Sequence, residues 1–253
     1  MNTDLLLHAF LALLLLLIPT GALYLLERPQ LKAWGIAIAR MVVQLSLLCV
    51  LVWVLFRFNS LWLNLLWFVA MTVYAAFVVV KRCKQEVATF LFPVSAGMVV
   101  GIFLVGCWLL AVVMQVSVSG AFWFVPVMAL LTGHTTAMMI RGLSTYLSAL
   151  KADEQQYEFL RGNGLAHLKA LQPFLRRSLL AVISPTMANI SILGLTSMPL
   201  LLVGLFLGGL TPWMAGFLML SMVAGCIAAS VLSLALVWFL SDQWIFKNPV
   251  KNT

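Results

Sequence analysis

The chain has 253 residues, of which 64% are hydrophobic and only 9% charged, and its mean hydropathy is +1.10. A soluble domain carries about a quarter charged residues, so disorder, a nucleic-acid-binding domain and a disulfide-rich secreted scaffold are excluded. What remains is an integral membrane protein, in which the net charge of +8 is an orientation signal rather than a binding surface.

Crossing the hydrocarbon core takes roughly 20 apolar helical residues. The first such run covers residues 5–26. No Lys or Arg precedes it and it is longer than a signal-peptide core, so it reads as a span rather than a cleaved leader. Further runs follow at about 34–56, 61–80, 90–114, 122–142, 178–208 and 213–240. None alternates with the period of two of a barrel strand. The expectation is an all-α polytopic membrane protein with about seven transmembrane helices, forming one domain over residues 1–253. Every Lys and Arg except Arg57 falls on connections of one parity, at or just inside the span ends that border them (Arg40, Arg141), or on the C-terminal tail. By the positive-inside rule the N-terminus is outside and the C-terminus cytoplasmic. The four cysteines show no C-x-x-C spacing, so neither a disulfide framework nor a zinc site is indicated.

The connection at 143–177 is the one sizeable hydrophilic stretch. Leu165, Leu168, Leu171 and Leu175 recur at intervals of three and four, which predicts an amphipathic helix after the turn signal Gly162-Asn163-Gly164. Lys169, Arg176 and Arg177 flank the stripe. Two readings stand side by side: a helix lying at the lipid interface, or an element that docks on a cytoplasmic partner.

The run at 178–208 is longer than a ~30 Å core requires and is interrupted at Ser184-Pro185 and again at Gly194, Thr196, Ser197 and Pro199. Proline removes a backbone donor and glycine weakens a helix. Broken backbone at membrane depth is tolerated only against protein or a wet cavity. Pro185, Gly194, Ser197 and Pro199 are therefore expected to mark a hinge or a path lining; the alternative is a tilted, kinked helix with packing glycines. Gly97-x-x-x-Gly101 and Gly204-x-x-x-Gly208 permit close helix approach.

Polar groups within spans are costly and so informative. No Asp or Glu lies in a span core, which gives no support to a carboxylate proton relay. Arg40 and Gln44 share a helix face; Arg40 can snorkel to the surface, leaving Gln44 for a cavity. Thr132-Gly133-His134-Thr135-Thr136 is the densest polar cluster in any span. Asn189 and Ser191 are placed to face the same cavity. The candidate substrate path is thus Gln44, Thr132, His134, Thr135, Asn189 and Ser191, although a lone His in a span also serves as a plain helix–helix bond. H-E-x-x-H, G-x-S-x-G and the P-loop pattern are all missing, so no catalytic residue, firm metal site or cofactor is assigned. An ATP-driven mechanism would need hydrolysis on another chain.

Arg40-x-x-x-Gln44-Leu45, Lys81-Arg82, Pro126 followed by Gly133, the Gly164 turn, Arg176, Pro185-Thr186, Gly194-Leu195, Ser197-x-Pro199 and Gly204 occur in that order. The arrangement, from about residue 35 to 230, resembles the small ABC-transporter permease family that includes the bacterial iron-export permease FetB and the plant aluminium-sensitivity permeases. The resemblance implies a permease subunit of the bacterial inner membrane, exporting a metal ion of the iron kind. It implies a homodimer paired with a separate cytoplasmic ABC ATPase that carries ATP and Mg. It also makes Arg161, Gly162, Gly164, His167 and Lys169 the ATPase-coupling segment. The chain departs from that family's pattern at His134 (Asn in the family), Ala188 (Asp), Ser191 (Lys), Leu200 (Gly), Thr211-Pro212 (Asp-Pro) and Leu218-Met219 (Tyr-Gln). A path without carboxylates is a poor cage for a hard cation, whereas His134 with methionines would suit a softer one. Two other readings stay open. One is a self-contained secondary transporter or channel passing a small solute near His134 and Asn189. The other is a scaffold whose hydrophilic connection recruits a partner.

Overall fold

The computed structural model describes residues 11, 14–26, 28–118, 120–191 and 198–247, and among them every element is helical. Two compact units divide the chain, Met1–Arg57 and Phe58–Thr253. Five described helical segments are long and apolar enough to cross a membrane: Arg28–Phe58, Leu61–Arg82, Val87–Val113, Ala121–Ala152 and Pro212–Ser241. The chain is an all-α polytopic membrane protein. The remaining two expected runs are not among those five segments. Much of 5–26 lies outside the described residues, and the described parts of 178–208 fall in His167–Ser191 and Met198–Leu207, with 192–197 outside the described residues.

In the N-terminal unit, α1 (Leu17–Leu26) leads through a single 3-10 turn (Arg28–Gln30) into α2 (Leu31–Phe58). Thr20 ties the two together. Its hydroxyl donates to the Leu16 carbonyl at 2.6 Å and accepts the Trp34 indole N–H at 3.0 Å. An indole donor in an apolar setting needs such an acceptor. Arg40 and Gln44 are both exposed on α2.

The second unit contains α3 (Leu61–Arg82), α4 (Val87–Trp108), α5 (Ala121–Ala152), α6 (Glu154–Gly162), α7 (His167–Ser191), α8 (Met198–Leu207) and α9 (Pro212–Lys247). A π-helical turn, Leu109–Val113, extends α4. α9 packs most closely on α4, and α5 packs on α3, α7 and α9. Small residues make the first contact possible. A Cβ added to Gly97 would stand 2.9 Å from the Val237 backbone nitrogen, and one on Gly101 would stand 2.8 Å from the Ser233 Cα. The Gly97-x-x-x-Gly101 pair is thus used within the chain, as the close approach of two helices through glycine requires. Phe68 sits at the α3–α4–α5 junction, 6.0 Å from the Phe103 ring and 6.2 Å, edge-on, from Phe124.

The hydrophilic connection differs from the expectation. α5 continues ten residues beyond Gly142 to Ala152, and α6 follows at once. α7 then runs unbroken from His167 to Ser191 through both Pro173 and Pro185, so the interruption expected at Ser184-Pro185 does not occur. Proline there frees only the Ala181 carbonyl, and side-chain bonds hold the same stretch. Thr186 Oγ1 donates to the Val182 carbonyl at 2.7 Å, and Ser178 Oγ donates to the Gly142 carbonyl of α5 at 2.6 Å. The leucine stripe is divided. Leu165 precedes the helix, Leu168 is exposed, Leu175 is half-buried and Leu171 is buried, beside a packed row of Ala170, Phe174, Ser178, Val182 and Thr186 at a spacing of four. Gly194 and Ser197 lie outside the described residues; Pro199 falls in α8, where its side chain is not described.

Candidate substrate cavity and coupling turn

Three helices of the second unit enclose a cavity of about 170 Å³ lined by His134 and Met138 of α5, Thr186 and Asn189 of α7, and Met222 and Cys226 of α9. A smaller pocket of about 60 Å³ adjoins it and shares His134 and Thr186. The antiparallel pairing of α5 and α7 produces this meeting. Ser178 is level with Gly142, so a rise of 1.5 Å per residue on each helix brings Thr186 to the level of His134, with Asn189 about 4–5 Å deeper on the same cavity. The His134 level is about 10 Å inside the boundary marked by Arg141.

A hydrogen bond ties His134 of α5 to Ser230 of α9. Ser230 Oγ donates its single hydrogen to the Cys226 carbonyl at 2.7 Å. It stands 3.1 Å from His134 Nδ1, and with its hydrogen committed it can only accept there. In that arrangement Nδ1 donates to Ser230 and Nε2 is the ring's acceptor. Thr135 Oγ1, 3.5 Å from the same Ser230 oxygen, closes the group. The lining offers an imidazole nitrogen, the Asn189 amide and thioether sulfurs, with no charged group among them. Such a set accepts hydrogen bonds or ligates a soft cation, and gives a hard cation little. Among the described residues no three His, Cys, Asp or Glu side chains cluster as a metal site.

Of the six expected path residues, the structure brings His134 and Asn189 together. Thr132 and Thr135 are buried in packing, Thr132 Oγ1 donating to the Met128 carbonyl at 2.7 Å. Gln44 lies in the N-terminal unit, and the side chain of Ser191 is outside the described residues. Ser230 and Met222 were missed by sequence reasoning. Ser230 was findable, because a hydroxyl deep in the last apolar run needs an explanation as much as the α5 cluster does.

At the other end of α7, the chain reverses through a helix-terminating turn. Leu165 N–H bonds the Leu160 carbonyl at 3.3 Å and Gly164 N–H the Arg161 carbonyl at 3.0 Å. That Schellman pattern needs a left-handed residue, and Gly164 supplies it with φ +81°. Arg161 Nη1 reaches the Leu165 carbonyl at 3.4 Å, and the Tyr157 hydroxyl lies 2.8 Å from His167 Nδ1, clasping α6 to α7. Gly162 closes α6 with helical backbone, and Lys169 is exposed on the first turn of α7. Phe159 (69% exposed) and Leu168 (59% exposed) project beside the turn.

The model of the uncharacterised protein family UPF0014 matches residues 6–246, and the chain belongs to that family. Neither the curated proteins nor the solved structures hold a match. Family membership and the bundle of apolar helices together support a membrane transport protein.

Proposed function

We propose that this UPF0014 member is the permease subunit of an ATP-binding-cassette transporter of the bacterial inner membrane, exporting a metal ion of the iron kind or a softer one. In this reading it works as a homodimer, and a separate cytoplasmic ATPase subunit holds the ATP and Mg.

The observation that carries the reading is the continuity of α7. One helix joins the Gly164 turn to the cavity residue Asn189, a distance of about 33 Å. A rigid rod with an exposed turn at one end and a cavity wall at the other can convert closure of an ATPase pair into a change at membrane depth. Phe159, Leu168 and Arg161 give the turn apolar knobs and a charge with which to seat in a partner's groove. Gly194 and Ser197, the expected hinge residues, follow that end in the sequence and lie outside the described residues.

The test is co-purification. The tagged chain should retain a P-loop ATPase, and Gly164→Pro or Arg161→Glu should release it while the bundle stays folded. Loss of ATPase capture in neither variant, or flux of cargo in liposomes holding this chain alone, would replace the reading with a self-contained transporter.

A further inference from the structure

We propose that the groove beside the α6–α7 turn binds the phosphate headgroup of an anionic phospholipid, with an acyl chain lying along the outer face of α7. The groove encloses about 540 Å³ and is lined by Leu160, Leu165, Lys169, Pro173, Arg176 and Leu180, with Gln172 and Arg177 completing it. No carboxylate lines it. Arg177 is held by Asp153 at 2.6 Å, whereas no acid among the described residues pairs with Lys169 or Arg176. The site therefore offers two free cations converging on one concave surface.

The level of the groove matches a lipid headgroup. Ser178, bonded to Gly142, lies where the apolar runs of α5 and α7 both end, at Arg141 and at Arg176-Arg177. Arg176 stands at that boundary and Lys169 about 10 Å further out, a separation comparable with the depth of a headgroup layer. The basic-residue bias assigns this side to the cytoplasm, whose leaflet carries the anionic lipids.

The same helix face continues inward as a lipid-like surface. Arg176, Leu180 and Met187 follow at spacings of four and seven; Leu180 is 50% and Met187 63% exposed. A stripe that begins with cations at the interface and continues with exposed apolar groups at membrane depth fits an amphiphile from end to end. A soluble acidic protein reaches only the outer part of such a stripe, and free phosphate has no use for its inner part. These two features select the lipid.

The experiment uses the purified full-length chain in detergent, exposed to phosphatidylglycerol or phosphatidylcholine with identical acyl chains and read by native mass spectrometry. Phosphatidylglycerol should be retained at least about fivefold better. Lys169→Gln and Arg176→Gln should each lower its retention about fivefold, at roughly one interfacial cation's worth of attraction. Phosphatidylcholine should change little, and Arg176→Lys should retain most of the preference. Leu180→Ser should weaken both lipids alike, and an excess of inorganic phosphate should not displace the lipid. Equal retention of the two lipids by the unmodified chain overturns the proposal, whatever the variants do. So does undiminished retention by a folded Lys169→Gln, Arg176→Gln double variant, or displacement by inorganic phosphate. No ATPase takes part, so the outcome is independent of the transport reading.

Discussion

Ser178 and Gly142 are joined at the point where α7 enters the bundle: the serine hydroxyl donates to the glycine carbonyl at 2.6 Å. The contact is close because Gly142 lacks a side chain. A Cβ there would stand 2.9 Å from Val182 Cγ2 and 3.0 Å from two methyls of Leu234, so one glycine admits α7 and α9 together. Ser178→Ala should lower stability by about 1 kcal/mol, the net value of one buried hydrogen bond. Gly142→Ala should cost about 1–3 kcal/mol through overpacking. Thermal unfolding followed by circular dichroism in detergent reads both, and equal midpoints for the two variants would contradict this ordering.

Gly97 and Gly101 face backbone rather than movable side-chain ends. Gly101→Ala would set a Cβ 2.9 Å from the Ser233 nitrogen, and α9 would have to shift as a body. Each of Gly97→Ala and Gly101→Ala should therefore destabilise by about 1–3 kcal/mol or more. Gly133, with nothing within 4 Å, is the control. Gly133→Ala should be neutral or stabilising by about 0.5–1 kcal/mol, since alanine forms helix better than glycine. Unfolding midpoints in detergent should separate the first two variants from the third.

These cases show what could be read in advance. Apolar length alone identified the five long spans, because hydrocarbon thickness sets a demand that composition either meets or does not. The polar cluster of α5 pointed to His134, and Asn189 was paired with it across the fold. Direction of side chains was less legible. The stripe Leu165, Leu168, Leu171 and Leu175 points to an amphipathic helix at the interface or a docking element; in the structure its members diverge, Leu168 being exposed and Leu171 buried beside Ala170 and Phe174. Proline was equally misleading as a sign of breakage. Pro93, Pro126, Pro173 and Pro185 all sit inside continuous helices, where neighbouring helices and hydroxyl groups compensate the lost bond.

Cys83 offers a pH-dependent readout at the end of α3. Its Sγ lies 3.8 Å from the Ile140 carbonyl, and burial pushes its thiol up to about 11 from an ordinary value of 9.0. The thiolate is the reactive form, so near pH 8 Cys83 should alkylate about a hundredfold more slowly than a cysteine introduced at exposed Ser148. The sign for stability follows. Below about pH 9 both folded and unfolded chains hold the proton and Cys83 contributes no pH dependence. Between about 9 and 11 only the unfolded chain releases it, so stability falls as pH rises through that window. Peptide-resolved labelling across pH 7–11 checks the rate, and labelling of Cys83 as fast as at position 148 would contradict the burial.

Gly162 and Gly164 look alike in the sequence but differ in need. Gly164 holds φ +81°, a left-handed conformation that costs an L-residue about 1–2 kcal/mol, whereas Gly162 is helical with open space around it. Gly164→Ala should loosen the turn and speed amide exchange across residues 160–167. Gly162→Ala should leave exchange unchanged or slow it. If the turn seats in an ATPase, the first variant should also weaken capture of that partner and the second should not. Hydrogen exchange by mass spectrometry separates local loosening from global unfolding.

His134 and Ser230 should act as one unit in transport. His134 lines the cavity and Ser230 holds its ring through Nδ1; with the serine hydrogen on the Cys226 carbonyl, Nε2 is the ring's acceptor. Ser230 is a positioning residue: its effect passes through the ring. His134→Leu should lower transport about tenfold, the value of one good polar contact to cargo, while His134→Asn, which keeps a polar group at the site, should lose less. Ser230→Ala leaves the ring free to turn or change tautomer and should lower transport by a similar or smaller factor. Because both changes remove the same interaction, the double variant should be no worse than His134→Leu alone. Efflux from vesicles holding the permease with its ATPase measures all four, and fully multiplicative losses would show that Ser230 has a role of its own, apart from the histidine.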